Sequence, residues 1–212
     1  MSPRRSPPRL RPPSPKRQVR KRILVICEGE VTEVEYFEGI KDHFRAIPVV
    51  IGACAVEGVG KDPLRVVREA VKCRDRAAEA ARRRRDAFLA YDEVWAVVDV
   101  DDHTSLDQAI KEARDRGVKL VISCPCFEIW LLWHFQDCPA ALSTRAVHDK
   151  LSRHIPGYGK RLPGDFPYVR HVTARQRAER ADPEHALPGR KVGNPSSNVW
   201  LVVEAISSSG KV

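Results

Sequence analysis

VWAVVDVDDH, residues 94–103, is the stretch that decides the fold. Its first five residues are apolar and β-prone, with none of the polar alternation of a half-exposed strand. Such a run belongs to a strand buried on both faces, the situation in a parallel sheet covered by helices on each side. The run then ends abruptly in acid. Asp99 and Asp101 stand two residues apart and therefore point the same way from a strand, while Asp102 and His103 enter the following loop.

Upstream, RILVIC at 22–27 is a second continuous strand run. VEYFEGIKDHF at 34–44 follows it, with Val34, Phe37, Ile40 and Phe44 at helical spacing. PVVIGACAV at 48–56 reads as another strand, and Asp62 with Pro63 opens a long helix running to Arg85. The arginines at its end suit the helix dipole, and a solvated face explains them equally. Downstream, SLDQAIKEARDRG at 105–117 is a helix closed by Gly117, VKLVISC at 118–124 is a strand, and CFEIWLLWHF at 126–135 is a very apolar helix. Strand and helix alternate, which predicts an α/β fold. About four strands would form a mostly parallel, Rossmann-like sheet with right-handed crossovers and helices on both faces.

Past Gln136 the signal weakens. STRAVHDKLSRHI at 143–155 predicts a helix, residues 156–195 show no clear element, and NPSSNVWLVVEAIS at 194–207 predicts a final helix capped by Asn194 or Ser196. The expected organisation is a tail at 1–22, an α/β core at 23–136 and a helical extension at 137–212 that completes the same domain.

The net charge of +9 is confined to the tail. Residues 1–22 hold nine of the 37 Lys and Arg, no acid and six prolines, so from Ile23 onward 28 basic residues balance 28 acidic ones. Such a tail cannot bury enough apolar surface to offset the entropy of ordering it, and it is expected to be disordered. It can tether a polyanion electrostatically or simply be solvated. No apolar run has the ~20 residues needed to cross a bilayer, and no secretory leader follows the basic start, so a cytoplasmic, membrane-free protein is expected. The six cysteines mostly sit in apolar runs, as in a reducing compartment. Cys124 and Cys126 with Cys138 do not have the knuckle spacing of a zinc site.

In a parallel sheet, ligands bind beyond the carboxyl ends of the strands. Glu28, Gly29 and Glu30 follow the first strand, and Asp99 with Asp101 closes the third. Carboxylates from two strands aimed at one rim repel unless a cation lies between them. Hard oxygen donors suit Mg²⁺, or Mn²⁺ in its place, and the chemistry implied is phosphoryl transfer. Glu128, among apolar neighbours after the fourth strand, needs a partner if buried and is a candidate to join the rim. His134 reads as a satisfied core histidine. Lys150, Lys160 and Lys191 are candidate phosphate contacts, and Asn194 with Ser196 offers donors at a helix start, although plain capping explains both.

A buried strand ending in Glu-Gly, then one ending in Asp-x-Asp, resembles the Toprim pattern of topoisomerases, primases and OLD-type nucleases. CEGEVTEVEYF at 27–37, VWAVVDVDD at 94–102, SCPCFEIWLLWHF at 123–135 and NPSSNV at 194–199 further resemble the RloB-like family of bacterial phage-defence loci, over about residues 23–205. Cys124 stands where that family has Asn, and Val31 and Ser197 replace the commoner Lys and Thr; the acidic positions are untouched. The resemblance implies a Mg²⁺-dependent nuclease in anti-phage defence, acting on DNA or RNA and working with a partner ATPase. Glu28 would be general acid/base and within reach of the ion, Asp99 and Asp101 would hold Mg²⁺, and Asp102 would be a further ligand. On their own chemistry rather than the resemblance, Glu30, Glu128, Lys160, Asn194 and Ser196 are candidates to support the site, and Glu33 is a candidate to cap the first helix.

Two other readings compete. A receiver-like or haloacid-dehalogenase-like phosphoaspartate enzyme wants a Lys at another strand end, and SCPC at 123–126 supplies none. A catalytically silent Toprim scaffold or sensor for an ATPase would bind no divalent cation through these carboxylates.

Overall fold

The computed structural model describes residues 21–53, 62–100, 105–190 and 193–210. The tail up to residue 20, Asp101, Asp102, His103 and Lys191 lie outside the described residues. Within them the chain runs β1 (Ile23–Cys27), α1 (Thr32–Phe44), β2 (Val49–Ala53), α2 (Pro63–Arg84), β3 (Glu93–Asp99), α3 (Leu106–Arg116) and β4 (Lys119–Cys124). It continues through α4 (Glu128–Leu132), α5 (Thr144–Leu151), α6 (His171–Ala181), β5 (Ser196–Ser197) and α7 (Trp200–Gly210).

The strands form one sheet in the order β2-β1-β3-β4-β5. β1 to β4 are parallel, and β5 is antiparallel to β4. Among the described residues the sheet has five strands, in keeping with the about four expected plus one. The additional one is a two-residue edge piece, too short to leave a periodic signature, with Ser197 opposite Ser123 and Ser196 opposite Cys124. Side-chain alternation divides the core in two. Ile23, Val25 and Cys27 of β1, Trp95 and Val97 of β3 and Val121 of β4 pack with residues of α1, α4 and α7. Leu24, Ile26, Val94, Ala96, Val98, Leu120 and Ile122 face α2 and α3 on the other side. Helices on both faces explain why β1, β3 and β4 read as unbroken apolar runs.

Local chemistry fixes several boundaries. Asp62 caps α2 by accepting from the Leu64 N–H at 3.2 Å, and Pro63 occupies the first turn, where its missing N–H costs nothing. Gly117 ends α3 with φ 67°, the left-handed position that glycine takes freely. The region beyond residue 156 contains α6, which the sequence did not reveal. The last helix begins at Trp200, so Asn194 and Ser196 are not its caps. The Asn194 side chain instead binds both backbone groups of Leu142, at 3.0 and 2.9 Å. Ser196 is fully buried in β5 and hydrogen-bonded to His185. The extension thus contributes an edge strand, and α7 sends Val202, Val203 and Ile206 into the same core as β1.

Candidate active site

The strand order places β1 between β2 and β3, with α1 on one face of the sheet and α2 on the other. Successive connections leave β1 and β3 in opposite directions, so the crevice beyond their carboxyl ends is a topological switch point. Glu28 follows β1 there, and Asp99 ends β3 beside it. Glu28 extends the ladder by one rung, its N–H donating to the Val97 carbonyl at 2.9 Å. Its Oε2 accepts the Asp99 backbone N–H at 3.1 Å. Asp99 shares the parity of Trp95 and Val97, which aims it toward the α1 and α4 side.

On that side α1 and α4 bring further acid. Glu33, in the first turn of α1, is buried, and its Oε1 accepts the Gly29 N–H at 3.0 Å. From inside α1, whose N-cap residue is Val31, it reaches back to the β1–α1 turn, so the contact it makes there is not the helix cap expected of it. A side chain at Gly29 would collide with this carboxylate, because a Cβ there would lie 1.9 Å from Glu33 Oε2. Glu128 opens α4 and is also buried. Burial, and then the charges of Glu33, Glu28 and Glu128, push the Asp99 carboxyl well above the usual carboxylate range, against a hydrogen bond from the Phe127 backbone.

Glu128 has its own partners. Tyr158 donates to Glu128 Oε1 at 3.1 Å, and His148 Nε2 of α5 lies 3.3 Å from the same oxygen. Burial raises the Glu128 pKa, but the His148 hydrogen bond and charge outweigh it and bring the carboxyl down to about 2. The same contact raises His148. Thr32, at the start of α1, lies 3.2 Å from the Tyr158 hydroxyl and donates to the Lys160 carbonyl at 2.7 Å, which ties the loop after α5 to the cleft.

Together these residues line a cleft of about 390 Å³ that includes Glu28, Glu30, Glu33, Asp99, Glu128 and Lys160. Glu30 and Lys160 are exposed at its margin. Asn194, Ser196 and Lys150 are not among its lining residues. The polar groups of NPSSN are engaged in structure: Ser197 lies 3.0 Å from Ser123, the Asn198 Oδ1 accepts the Ile122 N–H at 2.9 Å, and its Nδ2 donates to the Leu187 carbonyl at 3.2 Å. His134 is a satisfied core histidine. Its Nδ1 bonds the Trp130 carbonyl at 3.0 Å, and its Nε2 lies 3.3 Å from the Tyr36 hydroxyl. Cys126 and His148 belong to the cleft but were not expected there. Only the third dimension brings His148 to Glu128, across 20 residues of chain, so no spacing rule could find it.

The Glu28 and Asp99 donor set consists of hard carboxylate oxygens in a cluster whose mutual repulsion a cation would relieve. That fits Mg²⁺ or Mn²⁺. Among the described residues no helix is long and apolar enough to cross a membrane. A family model described as "RloB-like protein" matches residues 23–206. No curated protein and no solved structure matches the chain.

Proposed function

The chain belongs to the RloB-like family, and from that premise we propose that it is a Mg²⁺-dependent nuclease of the Toprim type acting in anti-phage defence. The observation that carries the reading is the bond from the Asp99 N–H to Glu28 Oε2 at the sheet's switch point. It holds the Glu28 carboxylate against the backbone of Asp99, in the cleft where ligands of α/β sheets bind.

Glu28 and Asp99 would hold the ion, with Asp101 and Asp102, which follow β3 in the sequence, as further ligands. When bound, Mg²⁺ or Mn²⁺ supplies charge neutralisation at the phosphodiester and lowers the pKa of the attacking water. Glu28 acts as general acid/base, a role suited to a buried carboxylate crowded by other acids. Lys160 offers a cation at the mouth of an otherwise acidic cleft, where it would meet a substrate phosphate. The seven basic residues before Lys21 add affinity for DNA or RNA without reading its sequence. The substrate, a cytoplasmic setting and a partner ATPase are parts of the same proposal.

Binding of Mn²⁺, followed by the loss of its free-ion electron paramagnetic resonance signal, tests this reading. Wild type is expected to bind Mn²⁺ in competition with Mg²⁺, and Asp99→Asn to bind at least tenfold more weakly. Equal binding by wild type and variant would instead favour the silent scaffold.

A further inference from the structure

The cleft contains a second cluster, chemically unlike the carboxylates at the strand ends. Cys126, Glu128 and His148 each present one ligand atom, and the three atoms lie within 4.8 Å of one another. Cys126 and Glu128 flank Phe127 where the chain passes from β4 into α4, and His148 joins them from α5. Cys126 and Glu128 are buried and His148 is partly so, and all three line the cleft. We propose that Cys126, Glu128 and His148 form a binding site for a zinc-class transition-metal ion, with its remaining coordination position open to the cleft.

Three observations support the proposal. The first is a distance. His148 Nε2 and Glu128 Oε1 are 3.3 Å apart, long for a charge-assisted hydrogen bond, which runs at about 2.7–2.9 Å. Two ligands each about 2.0–2.1 Å from a tetrahedral zinc are themselves about 3.3 Å apart. The second is donor chemistry. A thiolate, an imidazole and a carboxylate together select a borderline ion over Mg²⁺, whereas Glu28 and Asp99 offer only hard oxygens. Three protein ligands with one open position is also the composition of a catalytic rather than a structural zinc site. The third is support around the ligands. Tyr158 donates to Glu128 Oε1 at 3.1 Å and is in turn 3.2 Å from Thr32, so the carboxylate is oriented by a hydrogen-bonded outer layer. Asp99 and Glu33 line the same cleft and add further carboxylates beside the cluster.

This site shares the cleft with the proposed nuclease centre but none of its two principal residues, Glu28 and Asp99. It stands whether or not the protein cuts nucleic acid.

Co²⁺ titration of the purified, metal-stripped full chain under reducing conditions tests it, because a cobalt–thiolate bond gives a near-ultraviolet charge-transfer band that carboxylates do not produce. The expected result is one equivalent of Co²⁺ with that band, displaced by Zn²⁺ and retained in excess Mg²⁺. Cys126→Ser should lose the band. His148→Ala, at a partly exposed position, should weaken binding at least tenfold with its circular dichroism unchanged. Glu28→Gln should keep both band and stoichiometry. Absence of the band in wild type, its persistence in Cys126→Ser, or its displacement by Mg²⁺ would overturn the proposal. The first of these would leave Glu128 and His148 as an ion pair only.

Discussion

Glu28 Oε2 accepts the backbone N–H of Asp99 across 3.1 Å, so a side chain following one strand is fastened to the main chain of its neighbour. The bond fixes the carboxylate beside Asp99, whose own carboxyl is pushed up by burial and then by the charges of Glu33 and Glu28. A group held against repulsion in this way is a mark of function rather than of stability. Glu28→Gln retains an acceptor for the Asp99 N–H and removes one negative charge from the cluster. The variant is therefore expected to melt at the same temperature as the metal-free wild type or slightly above it. Added Mg²⁺ should raise the melting temperature of wild type far more than that of the variant. A melting temperature well below wild type without metal would show the charge to be structural.

Gly29 has a different constraint. Its conformation is ordinary, but Glu33 folds over it so closely that any side chain would overlap the carboxylate. Gly29→Ala should expel Glu33 from its bond to the Gly29 N–H and lower stability by about 1–3 kcal/mol, the cost of leaving a buried polar group unsatisfied. Urea denaturation gives the magnitude. Pairing it with Glu33→Gln in a double-mutant cycle should show strong non-additivity, since both changes disturb one contact.

Acid should unfold the protein partly through His134. Burial, opposed by the Trp130 carbonyl, lowers its pKa to about 3. The unfolded chain therefore binds a proton that the folded chain refuses. His134 contributes stability that is complete above its unfolded pKa of about 6.5. That contribution is lost as pH falls toward 3. The slope is about 1.4 kcal/mol per pH unit within that window. His185, lowered to about 4 chiefly by burial, adds the same sign. Urea unfolding at several pH values between 4.5 and 7 should show stability rising with pH in wild type and rising less steeply in His134→Gln. Equal slopes would contradict the assignment.

The fold was legible where local and global signals coincide. β1, β3 and β4 are buried on both faces, so their sequences carry continuous apolar runs. The Asp62–Pro63 start and Gly117 stop are chemical requirements of the helix ends themselves. α6 escaped notice because only Ala174 and Ala178 of this arginine-rich segment are buried, and two small residues four apart give almost no amphipathic signal. β5 is two residues long, and its identity depends on pairing with β4, a tertiary fact. The same contrast holds for the site. Glu28 and Asp99 could be brought together from the rule that parallel strands present their carboxyl ends to one rim. The Glu128 partners could not, since Tyr158 and His148 reach it only through the packing of α4 against α5 and the loop beyond. NPSSN looked like a helix start with free donors, but those groups are used to attach the extension to β4 and to Leu142.

Removal of the basic tail should separate affinity from specificity. Residues 1–20 contain seven Lys or Arg, whereas Lys21 pairs with Glu93 and the Arg22 N–H donates to Asp92. Truncation should therefore begin at Lys21 and spare the fold. For duplex DNA each lost phosphate contact reduces the salt slope of binding by about 0.9. The truncated chain is expected to show a shallower slope with the same cleavage positions, and a changed cleavage pattern would mean that the tail reads its substrate.

The central claim is that carboxylates at the ends of β1 and β3 cut phosphodiester bonds with a bound divalent cation. Incubation of wild type, Glu28→Gln and Asp99→Asn with plasmid DNA, single-stranded DNA and total RNA, with Mg²⁺ or Mn²⁺ and with chelator, tests it most directly. The account predicts metal-dependent cleavage of at least one substrate by wild type, reduced at least ~100-fold in both variants, the scale expected for loss of a catalytic acid or base. Cleavage that survives in both variants would contradict it and place the chemistry elsewhere in the molecule.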